Sequence, residues 1–182
     1  MRDIKGGSTI GTAKREIDQE KRERVIEILK KDNIDEMISN FFPRRSEVFW
    51  ILLDIVKSKE ESTNRRIAAA RSLGELGLDH NLNVLIDNFF LGCEKGKSFE
   101  ELNWSNFPVG FALIKTSASS ARLNLLNKIK LARDEEMIRL CAFVLMKIED
   151  KDVAKFILEQ EIKKETVTSQ KEKLEKALFY LE

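Results

Sequence analysis

Breakers and reactive side chains are scarce in this 182-residue chain, which holds two prolines, eight glycines, two cysteines and a single histidine. So few prolines and glycines leave most of it free to be helical. Cys93 and Cys141 lie far apart with only His80 as a companion, and no metal-ligand spacing results. Two thiols in a reducing compartment is the reading that follows. No apolar run approaches the roughly 20 residues that a membrane span needs. The N-terminal stretch also lacks the apolar core of a secretory signal. The expectation is therefore a cytoplasmic protein without membrane contact. An excess of either charge is missing as well: 32 lysines and arginines against 31 acidic residues leave +1. Nucleic-acid binders carry a clear basic excess, so nucleic acid is not the expected partner.

What is present is charge in quantity and apolar residues at helical spacing. Charged residues make up 35% of the chain and hydrophobic ones 42%, enough for one domain with a sizeable core. Residues 1–11 hold three glycines and little apolar surface, and are expected to be a flexible lead-in to a single domain over 12–182. Ile17, Val25, Ile28 and Leu29 then mark one side of a helix. Asn33 and Glu36 resemble a capping box for a short helix that Pro43 ends. From Ser46 the run EVFWILLDIVKSK places Phe49, Trp50, Leu52, Leu53 and Val56 over more than half of a helical wheel, so Trp50 is assigned to the core.

Residues 64–78, NRRIAAARSLGELGL, put small Ala69, Ala70 and Ser72 beside Leu73 and Leu76. A short turn at Asp79, His80 and Asn81 leads to a second amphipathic run, LNVLIDNFFL. Small residues on one helix permit close approach, and large ones on the next fill the space. The pattern returns 72 residues on: Ala70, Leu73 and Leu76 match Ala142, Leu145 and Ile148. Likewise Leu82, Leu85 and Ile86 match Val153, Phe156 and Ile157. Two pairs at twice a 36-residue spacing imply a unit between them, with helices over 108–115 and 120–131. A last helix from Ser169, with a Ser169/Glu172 capping box, is expected to bury Leu174, Ala177, Leu178 and Leu181 as a terminal cap.

The run from Arg66 to Gly77 resembles the first helix of a bacterial HEAT repeat: an arginine, two variable positions, two small residues, then Leu-Gly and an apolar-Gly ending. The second copy departs from that pattern, with Met146-Lys147 in place of Leu-Gly and bulky Phe143 and Val144 where small residues are usual. The resemblance implies an all-α fold, an α-α superhelix or armadillo-like solenoid of antiparallel helix pairs. It also implies binding of another macromolecule along a curved surface. A few members bind DNA or act on tetrapyrroles, and HEAT-like DNA glycosylases supply the alternative of a nucleic-acid binder. Those glycosylases gather aromatic and acidic residues in the groove, whereas here Trp104 falls between helices.

No phosphate loop, dinucleotide fingerprint or nucleophile elbow is present. Asp134, Glu135 and Glu136 sit at a helix start, where anions complement the macrodipole. No enzyme, cofactor or metal is expected. Arg66 is expected to bond to neighbouring loops, as the first arginine of such repeats does. The segment 92–107, GCEKGKSFEELNWSNF, is long for a connection in a compact fold. It carries Phe99, Leu102, Trp104 and Phe107 among charges, and it reads either as a staple between repeats or as an interface anchor with a charged rim. With Asn83, Asp87, Asn124, Lys128 and Lys155 on the second helices, Phe99, Trp104 and Phe107 are the candidate contacts for a protein partner, in a scaffold, adaptor or inhibitor of the immunity type. Polar residues of both signs suit a protein better than a polyanion.

Overall fold

The α-helix is the one regular element among the residues that the computed structural model describes, which are 19–31, 45–77, 82–116 and 119–182. Nine helices lie there: α1 (Gln19–Lys30), α2 (Arg45–Lys57), α3 (Thr63–Leu76), α4 (Leu82–Asp87), α5 (Pro108–Thr116), α6 (Ser119–Leu131), α7 (Glu135–Glu149), α8 (Lys151–Lys164) and α9 (Thr168–Phe179). None is long and apolar enough to cross a membrane. The expected lead-in over 1–11, the helix after Asn33, its stop at Pro43 and the turn at His80 lie outside the described residues.

Capping chemistry sets several helix ends. Ser62 accepts from the Arg65 amide at 3.3 Å, and Gly77, at φ 61°, closes α3 with its own amide on the Gly74 carbonyl. Asp134 accepts from the Met137 amide at 2.8 Å and opens α7. Pro108 takes the first position of α5, where its missing N–H costs nothing. The expected Ser169/Glu172 box does not form. Helix α9 starts one residue earlier, behind Val167, which offers no side-chain cap. Glu165 instead accepts from the amides of Thr166 and Val167, both at 3.0 Å.

Among the described helices most contacts run to the next one or the next but one, and α6 also reaches α9. Helix α1 packs on α2 and α3, α2 on α3 and α4, α3 on α5, α4 on α5 and α6, and α5 on α7. Towards the C-terminal end, α6 packs on α7 and α9, α7 on α8 and α9, and α8 on α9. The most extensive interface joins α3 to α5. Its closeness depends on Gly74, where an added Cβ would lie 2.8 Å from the Ala112 Cα and 3.0 Å from its carbonyl oxygen. Ala69, Ala70, Leu73, Ala112 and Leu113 are all buried there.

Polar ties hold the layers in register. Arg66 donates through Nε to the Val56 carbonyl (2.9 Å) and through Nη2 to Asn88 Oδ1 (2.6 Å), joining α2, α3 and the turn after α4, in line with its expected role. Arg22 of α1 reaches Asp54 at 3.3 Å and Glu61 at 3.0 Å, and Glu61 also meets Arg65. At the other end the largely buried Lys130 pairs with Glu161 (2.7 Å) and Glu165 (2.8 Å). Burial disfavours its charge, yet the two carboxylate bonds hold its pKa above the usual lysine value.

Two expectations about burial fail. Trp50 is 40% exposed rather than core, because Phe49, Leu52, Leu53 and Val56 already fill the buried arc of α2. Val153 and Phe156, matched in sequence to the buried Leu82 and Leu85, are 45% and 59% exposed. Helix α8 buries Ala154 and Leu158 instead, so its inward stripe is rotated from the one the alignment implies.

Replacing Gly74 with alanine tests the α3–α5 approach. The intrinsic helix gain of about 1 kcal/mol is outweighed by an overpacking cost, about 1–3 kcal/mol, because the clash is with backbone. Thermal melting should show a net loss of stability; an increase would mean that the helices are not in close contact.

Candidate partner-binding surface

The 92–107 segment is laid across the helices by backbone and side-chain bonds. Gly92, at φ 71°, lies against Ile67 and Pro108, so close that a Cβ would sit 2.5 Å from the Ile67 Cδ1. The Glu94 amide donates to the Asn106 carbonyl at 2.8 Å, which closes the segment on itself. Asn106 is buried, accepting from the Asn103 amide and donating to the Glu101 carbonyl. The Ser98 amide donates to the Glu101 carboxylate at 2.8 Å and the Glu101 amide to the Ser98 carbonyl at 3.2 Å, so the pair closes a turn and does not cap a helix. Gly96 donates to Glu136 of α7 at 3.2 Å.

The aromatics of the segment point mostly inward. Phe107 is fully buried, 5.0 Å from Phe89 and 6.3 Å from Phe143 between ring centroids. Its ring covers Gly110 so closely that a Cβ there would meet it at 2.0 Å. Phe107 is thus corrected from a partner contact to a core residue: the short link into α5 turns its ring under the helix. Trp104 is half-buried, 5.6 Å from Phe111, with the Arg71 guanidinium over its ring. Phe99 is half-buried on Phe143 at 5.2 Å, with Arg139 over its ring. Leu102 is buried. The segment therefore acts as a staple, with Phe99 and Trp104 only partly open to solvent.

Beside the staple runs a cleft of about 380 Å³. Phe99 and Glu100 form one wall, Phe143, Met146 and Lys147 of α7 another, and Lys151, Tyr180 and Leu181 the far end. Lys147 stands over the Phe143 ring at 5.7 Å. Tyr180 donates to Glu135 at 2.8 Å; partial burial, and then that bond, raises its pKa above the ordinary phenol value. Glu136 receives two bonds from Arg139, at 2.9 and 2.8 Å, which hold its carboxyl below the usual range. The acidic start of α7 is thus more than a complement to the helix dipole, since Glu135 fastens α9 and Glu136 fastens the staple.

The polar candidates are partly gathered. Asn83 and Asp87 lie one turn apart on α4, and Asn124 and Lys128 one turn apart on α6. An ion pair of 3.5 Å from Lys128 to Asp87 sets the two faces side by side. Lys155 sits apart on α8, which packs against α7 and α9. Burial raises the thiol of half-buried Cys93 to about 11 and pushes that of Cys141 higher still, so both are held as neutral thiols. The reading of the sequence missed Phe143, Tyr180 and the cleft. Its one available signal was bulk at Phe143, where the HEAT resemblance implies a small residue. Comparison with protein-family models, with curated proteins and with solved structures finds no match.

Two outcomes follow. Trp104→Ala removes a stacked, half-buried ring, and melting should report a loss of about 3 kcal/mol, the low end for aromatic truncation; unchanged melting would contradict the staple. Glu136 has a depressed folded pKa, so its contribution is present above the ordinary glutamate value near 4.3 and is lost as pH falls through the lower folded value. Wild type should therefore exceed Glu136→Gln in stability at pH 7, and the difference should vanish in strongly acidic solution. Equal stabilities at pH 7 would remove Glu136 from the account.

Proposed function

We propose that this chain is a cytoplasmic protein-binding module of HEAT-type stacked helix pairs that receives a protein partner at the cleft beside the staple. The observation that carries the reading is the cleft itself. Half-exposed Phe99 and Met146 line it together with Lys147, Lys151, Glu100 and Glu182, an apolar pocket with charges of both signs at its rim. Three of its residues, Phe143, Met146 and Lys147, are the positions at which the second repeat departs from the family pattern. Contacts from α3 to α5 to α7 and from α2 to α4 to α6 support the stacking. Two unpaired cysteines suit a reducing compartment. The proposal assigns no catalysis and no cofactor.

Cation pairing favours a protein over nucleic acid. Arg66 is spent on Val56 and Asn88, Arg122 on Glu149, Lys130 on Glu161 and Glu165, and Arg139 on Glu136. Phosphate binding would have to displace those carboxylates.

The test is affinity capture from the source organism's lysate at two salt concentrations, with wild type beside a Lys147→Glu, Lys151→Glu double variant. The expected result is one protein held by wild type at both salts and lost from the variant, whose melting is unchanged. Nucleic acid released at high salt, or equal retention by both forms, would overturn the reading.

A further inference from the structure

The chain has no glycine or proline after Gly110, yet it turns back from α7 onto α8 across one residue. That residue is Asp150, at φ 73° and ψ 154°, the one non-glycine position with positive φ among the described residues. This combination belongs to a region that glycine alone enters freely, so the link is strained. Asp150 caps α8, its carboxylate accepting from the Lys151 amide at 2.5 Å and its carbonyl from the Ala154 amide at 2.9 Å. Strain of this kind persists only where the surroundings hold it. Here the hold comes from α8 and α9 on the helices before them: Lys130 pairs with Glu161 and Glu165, Lys173 reaches the Lys130 carbonyl, Tyr180 reaches Glu135, and Leu158, Leu174 and Ala177 are buried.

We infer that residues 151–182 form an exchangeable arm. When the arm opens at Asp150, α7 and α8 join into one helix from Glu135 to Lys164, and two copies of this chain trade arms about a two-fold axis. The closed monomer and the exchanged dimer make the same contacts everywhere except at the hinge. The occupant is therefore a second copy, since its α8 and α9 carry the residues that α6 and α7 already receive. Opening releases Asp150 into helical backbone, and the run from Lys147 to Lys155 holds no breaker to prevent it. Helices α7 and α8 are 15 and 14 residues long, so two joined helices can lie antiparallel with each α8 on the other copy's α7. At the junction Lys147 and Lys151 offset Asp150 and Asp152, and Arg122 holds Glu149 at 2.8 Å. Short links under strain favour such exchange. The inference does not depend on the cleft, whose Lys151, Tyr180 and Leu181 would come from the other copy.

Protein unfolded and refolded at low and at high concentration, then separated by size-exclusion chromatography, reads the exchange. Wild type is expected to give monomer at low concentration and dimer at high concentration. That dimer should persist on dilution, because its return requires both arms to open. Asp150→Gly relieves the strain at a capping position where glycine is tolerated, and should weaken dimerisation at least about tenfold, equivalent to 1.4 kcal/mol. Lys130→Glu, and Glu161→Lys with Glu165→Lys, each set like charges between the arm and α6. Refolded together, these two variants should form a one-to-one mixed dimer that melts higher than either alone, since exchange restores opposite charges at both sites. The mixed dimer reads the exchange even where neither variant folds by itself. Wild type that is monomeric at every concentration, dimerisation unchanged by Asp150→Gly, or a mixture that yields no mixed dimer would each overturn the inference.

Discussion

Everything around the cleft depends on the packing of Phe143. Its ring is buried and meets Phe99 at 5.2 Å, Phe111 at 6.0 Å and Phe107 at 6.3 Å, and Phe107 passes the contact on to Phe89. One side chain on α7 thus joins the turn after α4, the staple and α5. Tilted and edge-on rings at these spacings add about 0.5–1.5 kcal/mol per pair beyond the area they bury. The staple needs that anchorage because it has no helix of its own to satisfy its backbone. Its amides bond instead to Asn103, Asn106 and Glu136.

Small residues and paired charges do complementary work elsewhere. At α3 and α5 the bare Cα of Gly74 lets two backbones approach, so the N-terminal layers are set by what is absent from the sequence. In the C-terminal half, where α6, α8 and α9 meet, register comes from Lys130 on Glu161 and Glu165 and from Lys173 donating to the Lys130 carbonyl at 3.1 Å. A largely buried lysine is tolerated there because two carboxylates offset its desolvation. The glutamates that hold it leave the opposite side of α8 to solvent.

The helical class was legible from scarce breakers and from apolar spacing, and Pro108 and Asp134 open their helices as their local chemistry implies, while the role expected of Arg66 came from the HEAT resemblance. Burial in α8 was not legible, because aligning Val153 and Phe156 with Leu82 and Leu85 assumes equal turns. A single residue, Asp150 at φ 73°, links α7 to α8, and the buried stripe falls on Ala154 and Leu158 instead. The segment 92–107 was singled out by its length and aromatics, but composition alone does not separate an anchor from a staple. That distinction rests on which ring faces which, and it turned on Phe143, a residue 36 positions beyond Phe107. The cleft was illegible for the same reason: its walls come from the staple, α7 and the end of α9.

Amide hydrogen exchange across 94–107 tests the account most directly. If the aromatic packing on Phe143 holds the staple to the helices, the amides of Glu94, Asn103 and Phe107, which bond to Asn106 and Asn103, should be protected to a degree comparable with those of α7. Exchange at the rate of an unstructured chain would show the segment detached from the helices, and the cleft would lose its wall.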